Sequence, residues 1–482
     1  YKTWYDFHGI KYFTFGKALK KSENHSISIG PGDYLVGEYA LNLNVNDFTI
    51  SAWIKNNTAS ANPRTIMSKG NKLQLRLNTS DQIEVMVDND VTPKFTSSMQ
   101  INDGKWHQIT FVYISGTIYL YVDGILDKSE QNVTAPSPNF NYFTIGALYV
   151  DKNTITNPFL GEIDEVYVWD QGLNENQVHY LMNQEVEKVP IVNLVSGKII
   201  PTASASNEVA TIAWSKLKAY YDFNSFYGST VEGLTDDRNF LRLKYLAKDK
   251  TLIDAQTTPT PYISASDGAW DTPLTWSNNA VQVPPNSVGL DGTTKRDWNI
   301  VHISHNITSG DRDISLLGLI QTGGILTIAD PTDAQDETNS GQELTITHYL
   351  ELDGVIDLVG ESQLIQTEGS IIDADSGGYI EKDQQGTANG FNYNYWSSSV
   401  GPIGGNIATR GSGVSSTNNS VAIENFLYNG YISSSPMLMD FEDVGYDFTP
   451  PSGTSPGLLK IFTYWLYKFY GAANDYGAWE KI

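Results

Sequence analysis

The strictest constraint in this sequence is a two-residue alternation of apolar side chains. Over 48–55, Phe-Thr-Ile-Ser-Ala-Trp-Ile-Lys sets Phe48, Ile50, Ala52 and Ile54 on one face, the pattern of a strand buried on one side. Comparable runs recur at 72–77, 82–87, 107–114, 117–122, 143–148 and 162–169, and their spacing between polar breaks predicts an antiparallel sandwich. Asp123-Gly124, between two of these runs, suits the positive φ of a tight hairpin turn. A helical signal comes only after Gly172: Asn174 is placed to cap 175–182, where Val178, Leu181 and Met182 share one side.

At 482 residues the chain has room for about three modules. It contains no cysteine, which removes disulfide frameworks, thiolate zinc sites and cysteine nucleophiles. Lys and Arg total 31 against 55 Asp and Glu, a net charge of −24, so the surface repels phosphate backbones and anionic lipid and nucleic acid is not expected as a partner. The most apolar region, 458–470, is broken by Lys460 and Lys468. It falls short of the roughly 20 residues of a membrane helix, and no direct membrane insertion is expected. Residues 1–7, Tyr-Lys-Thr-Trp-Tyr-Asp-Phe, lack the parts of a signal peptide and read as a strand already under way, as in a fragment of a longer mature protein.

Six ordered blocks carry a family resemblance: Asp47-Phe-Thr-Ile-Ser-Ala-Trp-Ile-Lys, Ile66-Met-Ser-Lys-Gly, Asn102-Asp-Gly-Lys-Trp-His-Gln-Ile-Thr, Leu120-Tyr-Val-Asp-Gly, Gly161-Glu-Ile-Asp-Glu-Val-Tyr-Val-Trp and Gly172-Leu-Asn-Glu-Asn-Gln-Val. They resemble the laminin-G-like, pentraxin-like jelly roll of concanavalin-type folds. The resemblance implies a two-sheet sandwich over 1–186 that binds carbohydrate or protein and performs no reaction.

Beyond it, a Val, Ile, Pro, Ser and Thr-rich stretch to about 211, punctuated by Pro190 and Pro201, reads as a spacer. Lys218-Ala-Tyr-Tyr-Asp-Phe then echoes Lys2-Thr-Trp-Tyr-Asp-Phe, so 187–262 is taken as spacer plus a connecting β element. Within 263–390 the segments 319–328, 350–358 and 364–372 each read strand, glycine turn, strand. Stacking such units buries an aliphatic column, the logic of a β-solenoid. That solenoid is expected to be right-handed and β-helix-like, with Leu319, Ile328, Leu350, Val355, Leu364 and Ile371 in its inner column. Asp267-Gly-Ala-Trp-Asp-Thr-Pro-Leu-Thr-Trp and Phe391-Asn-Tyr-Asn-Tyr-Trp-Ser-Ser-Ser-Val-Gly are similar to a module of large surface proteins exported by the type IX route of gliding bacteria. This second resemblance implies a secreted protein at the bacterial cell surface, with outer-membrane secretion or gliding-motility machinery as a partner. It also implies a C-terminal β module over 391–482 that is truncated. The expected fold class is all-β: an antiparallel jelly-roll sandwich, a β-solenoid and a partial β module.

Candidate chemistry is sparse. His302 and His305 lie three apart in an apparent strand and so face opposite ways, unfit to share a metal. His107 alternates with Ile109, Phe111 and Tyr113 and reads as packed. Alternation puts Asp164 on the face of Val166 and Val168, where an inward carboxylate needs a partner. That partner is either calcium or backbone N–H groups of the adjoining turn. In the pentraxin branch of the resemblance, calcium is held by an Asp-Asn pair and a later acidic triplet. Here those positions read Gly70-Asn71 and Ala147-Leu148-Tyr149, leaving Asn71, with Asp151 close by, beside Asp164 as metal candidates. Trp53 and Trp106 sit in the family blocks and read as packing residues, while Tyr142 and Tyr149 fall at or near loops. The function expected is a non-catalytic segment of a large adhesin that binds a surface glycan or a matrix or protein ligand through the jelly roll, with the solenoid as spacer. The alternative is an ancillary glycan-binding region of a secreted polysaccharide-degrading enzyme.

Overall fold

The alternating strands pair into two antiparallel sheets. One runs Ile125–Glu130, Thr117–Val122, Trp106–Ile114, Phe48–Asn56, Gly161–Trp169, His25–Ile29 and Ile253–Ala255, with Leu217–Tyr221 also on Gly161–Trp169. The other runs Phe226–Tyr227, Thr230–Val231, Leu241–Lys244, Tyr34–Gly37, Phe143–Ile145, Arg64–Lys69, Leu73–Leu77, Gln82–Val87 and Phe95–Gln100. The computed structural model describes residues 24–37, 47–56, 58–151, 154–201, 207–224, 226–227, 229–244, 253–329 and 341–383, with short pieces between 427 and 481.

Phe48, Ile50, Ile54, Phe111, Leu120 and Val166 meet Leu35, Met67, Leu75 and Phe143 of the facing sheet in one apolar core. Phe111 bridges the layers, its ring 5.8 Å from Phe48 and 6.4 Å from Phe95. The Asp123-Gly124 turn has φ of 53° and 82°, the paired positive values that such a hairpin demands. Asn174 caps the helix Glu175–Met182 in a reciprocal box with Gln177, which satisfies two otherwise orphaned backbone donors.

The stretch after 186 is not a free connector. Val195, Ile200, Val209, Ile212, Trp214 and Leu217 join Val178 and Leu181 of the helix in a second core, on the outer face of the eight-stranded sheet. The Lys218-Ala-Tyr-Tyr motif lies in Leu217–Tyr221, which pairs with Gly161–Trp169, while Leu241–Lys244 joins the other sheet. Its echo at residues 2–7 lies outside the described residues.

From Tyr262 onward every pairing in the two main sheets is parallel. Six strands, Tyr262–Ile263, Asn299–Ile303, Ile314–Gln321, Glu343–Leu352, Gln363–Gln366 and Ile371–Ile372, form one sheet. Five, Gly268–Ala269, Ile307–Thr308, Ile325–Ile328, Val355–Leu358 and Tyr379–Lys382, form the other. The chain visits them in alternation, and Leu319, Ile328, Leu350 and Ile356 close the core between them, with Leu364, Ile372 and Ile380 partly buried against it.

Two expected members of that column face the other way. Val355 is level with exposed Ile325, and Ile371 packs beside Tyr349 in the second core. The alternation of Leu350 and Leu352 continues unbroken through the Asp353-Gly354 turn, so Ile356 and Leu358 point inward instead. Nor is the Gly369 turn a corner between sheets, since the strands on both sides of it pair with Glu343–Leu352.

The six-stranded sheet places Ile300, Leu317, Ile320 and Tyr349 in the second core, so sandwich and parallel sheets share buried apolar surface. The chain divides into two compact units after Lys382. In the second, Tyr428–Asn429 pairs with Met437–Leu438, Asp440–Glu442 with Lys460–Phe462 and Tyr467–Phe469 with Trp479–Lys481. The aromatic block at 391–401 lies outside the described residues.

Candidate functional site

Three connections at one end of the nine-stranded sheet are tied together by backbone bonds. The N–H of Gly70 donates to the Tyr142 carbonyl at 3.2 Å, and that of Asn89 to the Asn71 carbonyl at 2.9 Å. Asp88 accepts from the N–H and hydroxyl of Ser137, each at 3.0 Å, and pairs with Lys72 at 3.4 Å. Gly70 has φ of +53° and a Cβ there would lie 2.5 Å from the Asn141 amide, so only glycine lets the loop before Phe143 approach the turn this closely.

On this frame Tyr142 meets Tyr149 edge to face, ring centroids 4.8 Å apart and planes at 80°. Both pack with Ile155 against Tyr34, Val36 and Ala147. Burial, then the neighbouring Tyr149, holds the Tyr34 hydroxyl above its ordinary pKa, and burial brings the Lys69 ammonium down to about 8. This end also exposes apolar side chains: Val91 at 94% and Phe140 at 84% in the loops, and Val150 at 55% in the strand Leu148–Asp151. Half-buried tyrosine rings, exposed apolar side chains and the exposed amides of Asn71 and Asn141 are the elements of a recognition surface.

The three metal candidates do not form one set. Asn71 follows Arg64–Lys69 and Asp151 ends Leu148–Asp151, both solvent-exposed, whereas Asp164 is sealed in the opposite sheet. Asp164 also faces away from Val166 and Val168. It is level with Trp53, while Val168 is level with Ile50, and the register shifts between Asp164 and Tyr167. Glu165 takes φ of 48° there. This bulge turns Asp164 to the outer face, where the N–H of Glu165 at 2.9 Å and the Thr258 hydroxyl at 3.0 Å donate to it. Among the described residues no three His, Cys, Asp or Glu side chains are arranged to hold a metal.

Alternation alone gave no sign of what surrounds Asp164. Glu165, Glu185, Asp222 and Lys198 gather there, and Tyr167 and Tyr220, stacked 4.5 Å apart, both donate to Glu165 Oε2. Trp53 and Trp106 are buried as packing residues, their indole N–H groups donating to the Met182 carbonyl and the Thr257 hydroxyl. His302 and His305 reach different partners, Thr322 and Ser264. His107 is packed as expected, but between two carboxylates: Nδ1 is 2.7 Å from Asp123 and Nε2 is 3.0 Å from Asp103.

The fold and its tyrosine-bearing loop end invite comparison with known families. Residues 30–179 match the Laminin_G_3 family of the concanavalin A-like lectin/glucanases superfamily. The laminin-G-like part of the chain therefore has the fold its sequence blocks imply. Among solved structures, a Bacteroides ovatus protein named as a carbohydrate binder is 19% identical with a TM-score of 0.37, covering 49% of this chain and 61% of its own. A heptameric SAP-like pentraxin from Limulus polyphemus is 20% identical with a TM-score of 0.28, covering 33% and 81%. The CBM40 module of the Ruminococcus gnavus IT-sialidase is 16% identical with a TM-score of 0.26, covering 32% and 94%. The present chain thus spans about three fifths of the Bacteroides protein. No curated protein matches it.

Proposed function

We propose that the sandwich is a non-catalytic glycan-binding module of a secreted bacterial surface protein, and that its ligand is held at the Tyr142–Tyr149 loop end. The carrying observation is the edge-to-face tyrosine pair braced by the Gly70 and Asn89 turns. A fixed aromatic surface loses little side-chain freedom on binding, which suits the hydrophobic faces of sugar rings. The match of 30–179 to a lectin and glucanase superfamily supports the reading. Against catalysis at Glu165, the cavity beside it holds only about 10 Å³ and is lined by Trp53, Tyr167, Trp169 and Met182. A sugar ring does not fit there.

The parallel sheets support a second part of the proposal, a β-solenoid that acts as a rigid support for the sandwich. Its warrant is the alternation of successive strands between two parallel sheets around one aliphatic core.

A glycan array probed with the whole chain, with and without calcium, tests the binding site. Tyr142→Ala and Tyr149→Ala are expected to weaken any positive interaction about tenfold each, equivalent to about 1.4 kcal/mol. Undiminished binding by the double variant would remove the site.

A further inference from the structure

Three connections frame the tyrosine pair, 70–72, 88–94 and 131–142. Together they contain two cationic side chains, Lys72 and Lys94, and no arginine. Each lysine is already matched by a carboxylate. Lys72 Nζ lies 3.4 Å from Asp88 Oδ1, and Lys94 Nζ lies 2.7 Å from Asp90 Oδ2. Lys69, just before the first turn, is level with the core residue Phe143 and lines a small internal cavity with Leu73 and Phe111. Its side chain is turned into the sandwich and is 3% exposed. Asp151 adds an exposed acidic group at the end of Leu148–Asp151. Carboxylates and sulfates are recognised by arginine forks and lysine point charges. An acidic sugar would find neither uncommitted in these connections, and it would approach a chain of net charge −24.

The same connections offer a surface of another kind. The loop before Phe143 is fastened at Ser137 by Asp88 and at Tyr142 by the N–H of Gly70. Between these anchors it holds itself: the Asn139 amide donates to the Ser137 carbonyl at 3.1 Å, and Asn139 Oδ1 accepts from the N–H of Asn141 at 3.0 Å. The arch so formed presents the Phe140 ring and the Asn141 amide to solvent, and Asn71 and Asn89 are exposed on the turns joined to it. An amide both donates and accepts, as a sugar hydroxyl does, and it brings no charge to be neutralised. Phe140 is not a member of the cluster around Tyr142 and Tyr149, yet its Cα lies within about 7 Å of that of Tyr142, the reach of two residues of chain. A ring seated on the tyrosines leaves Phe140 to the next ring of a chain.

Resting on the glycan-binding reading above, we propose that the ligand is an uncharged oligosaccharide, with one ring on Tyr142 and Tyr149 and the next against Phe140.

The test is calorimetric titration of the 482-residue chain with neutral pentasaccharides of glucose, mannose, galactose and xylose, and with oligogalacturonate, sialyllactose and a sulfated heparin fragment. A neutral pentasaccharide is expected to bind, with an affinity that changes less than about twofold between about 0.05 and 0.5 M salt, because no charge is neutralised on binding. It is expected to bind at least about fivefold more tightly than its monosaccharide, and Phe140→Ala is expected to remove that difference. Phe140 is exposed, so this variant is expected to melt with the wild type. Binding confined to acidic glycans, falling steeply with salt and lost in the Tyr142→Ala, Tyr149→Ala double variant, would overturn the proposal and leave the site in place. A neutral ligand lost in that double variant but indifferent to Phe140→Ala would overturn it too. Binding untouched by the double variant, or binding of no probe at all, would remove the site and the proposal with it.

Discussion

Arg296 reaches across from the parallel-sheet region to set Nη1 3.4 Å from Asp123 Oδ2 in the sandwich, with both side chains 2% exposed. The same carboxylate bonds His107 Nδ1 at 2.7 Å and accepts from the N–H of Gln108 at 2.9 Å. Alongside, Trp298 donates its indole N–H to the Asp123 carbonyl at 3.0 Å and stacks on His179 at 3.8 Å. The hairpin turn legible as Asp123-Gly124 is thus the place where the two halves of the first unit are joined. Gly124 is required twice over, by its φ of +82° and because a Cβ would lie 2.6 Å from Trp298 Nε1.

Removing one member of a sealed ion pair strands the other. Asp123→Ala leaves both Arg296 and His107 without their shared carboxylate, and a loss of about 3–5 kcal/mol is expected in denaturant unfolding. Asp123→Asn, which keeps the Gln108 acceptor, is expected to lose less. Equal and small losses in both variants would mean that the pair contributes little.

Burial alone would lower the His107 pKa, but the charge of Asp123 and the hydrogen bonds to Asp103 and Asp123 outweigh it and raise the value from 6.5 to about 9. Because the folded value is the higher one, this stabilisation is complete below about 6.5 and disappears as pH rises through about 9. It amounts to roughly 3 kcal/mol at 1.4 kcal/mol per unit. Unfolding titrations of His107→Gln are expected to lose the fall in stability over that window.

What the sequence made legible was whatever depends on neighbours a few residues away. Phe48, Ile50 and Ile54 face the core because a strand alternates, and Asn174 caps its helix because an amide three residues before Gln177 can do little else there. The face of Asp164 was misread because a bulge leaves no mark on the alternation of its neighbours. The burial of Val195 and Ile212 was missed for another reason. Their cover comes from the helix and from strands more than 80 residues further on, such as Asn299–Ile303, and no local pattern reports it. At the candidate site, Tyr142 and Tyr149 were legible as loop aromatics, but their contact depends on the Gly70–Tyr142 bond between distant segments.

Phe111 joins the two layers of the sandwich through Phe48 and Phe95. Phe111→Ala is expected to lower stability by about 3–5 kcal/mol, the transfer and cavity cost of a buried aromatic ring. Thermal melting that matches wild type would contradict its place in the core.

The register of the parallel sheets can be tested with adjacent residues. Ile356 is fully buried between Leu326 and Ile380, and Val355 stands in the outward row with Ile325 and Tyr379, both of them exposed. A charge at 356 has no partner in the aliphatic core, and the strand that carries it, Val355–Leu358, is paired on both sides, so the damage should spread to neighbouring rungs. Ile356→Asp is therefore expected to abolish hydrogen-exchange protection in Ile325–Ile328 and Tyr379–Lys382 together. Val355→Asp, whose carboxylate reaches water, is expected to change stability by less than about 1 kcal/mol. If the two variants exchanged roles, the column would run through Val355, and the alternation across the Asp353-Gly354 turn would be one residue out of step.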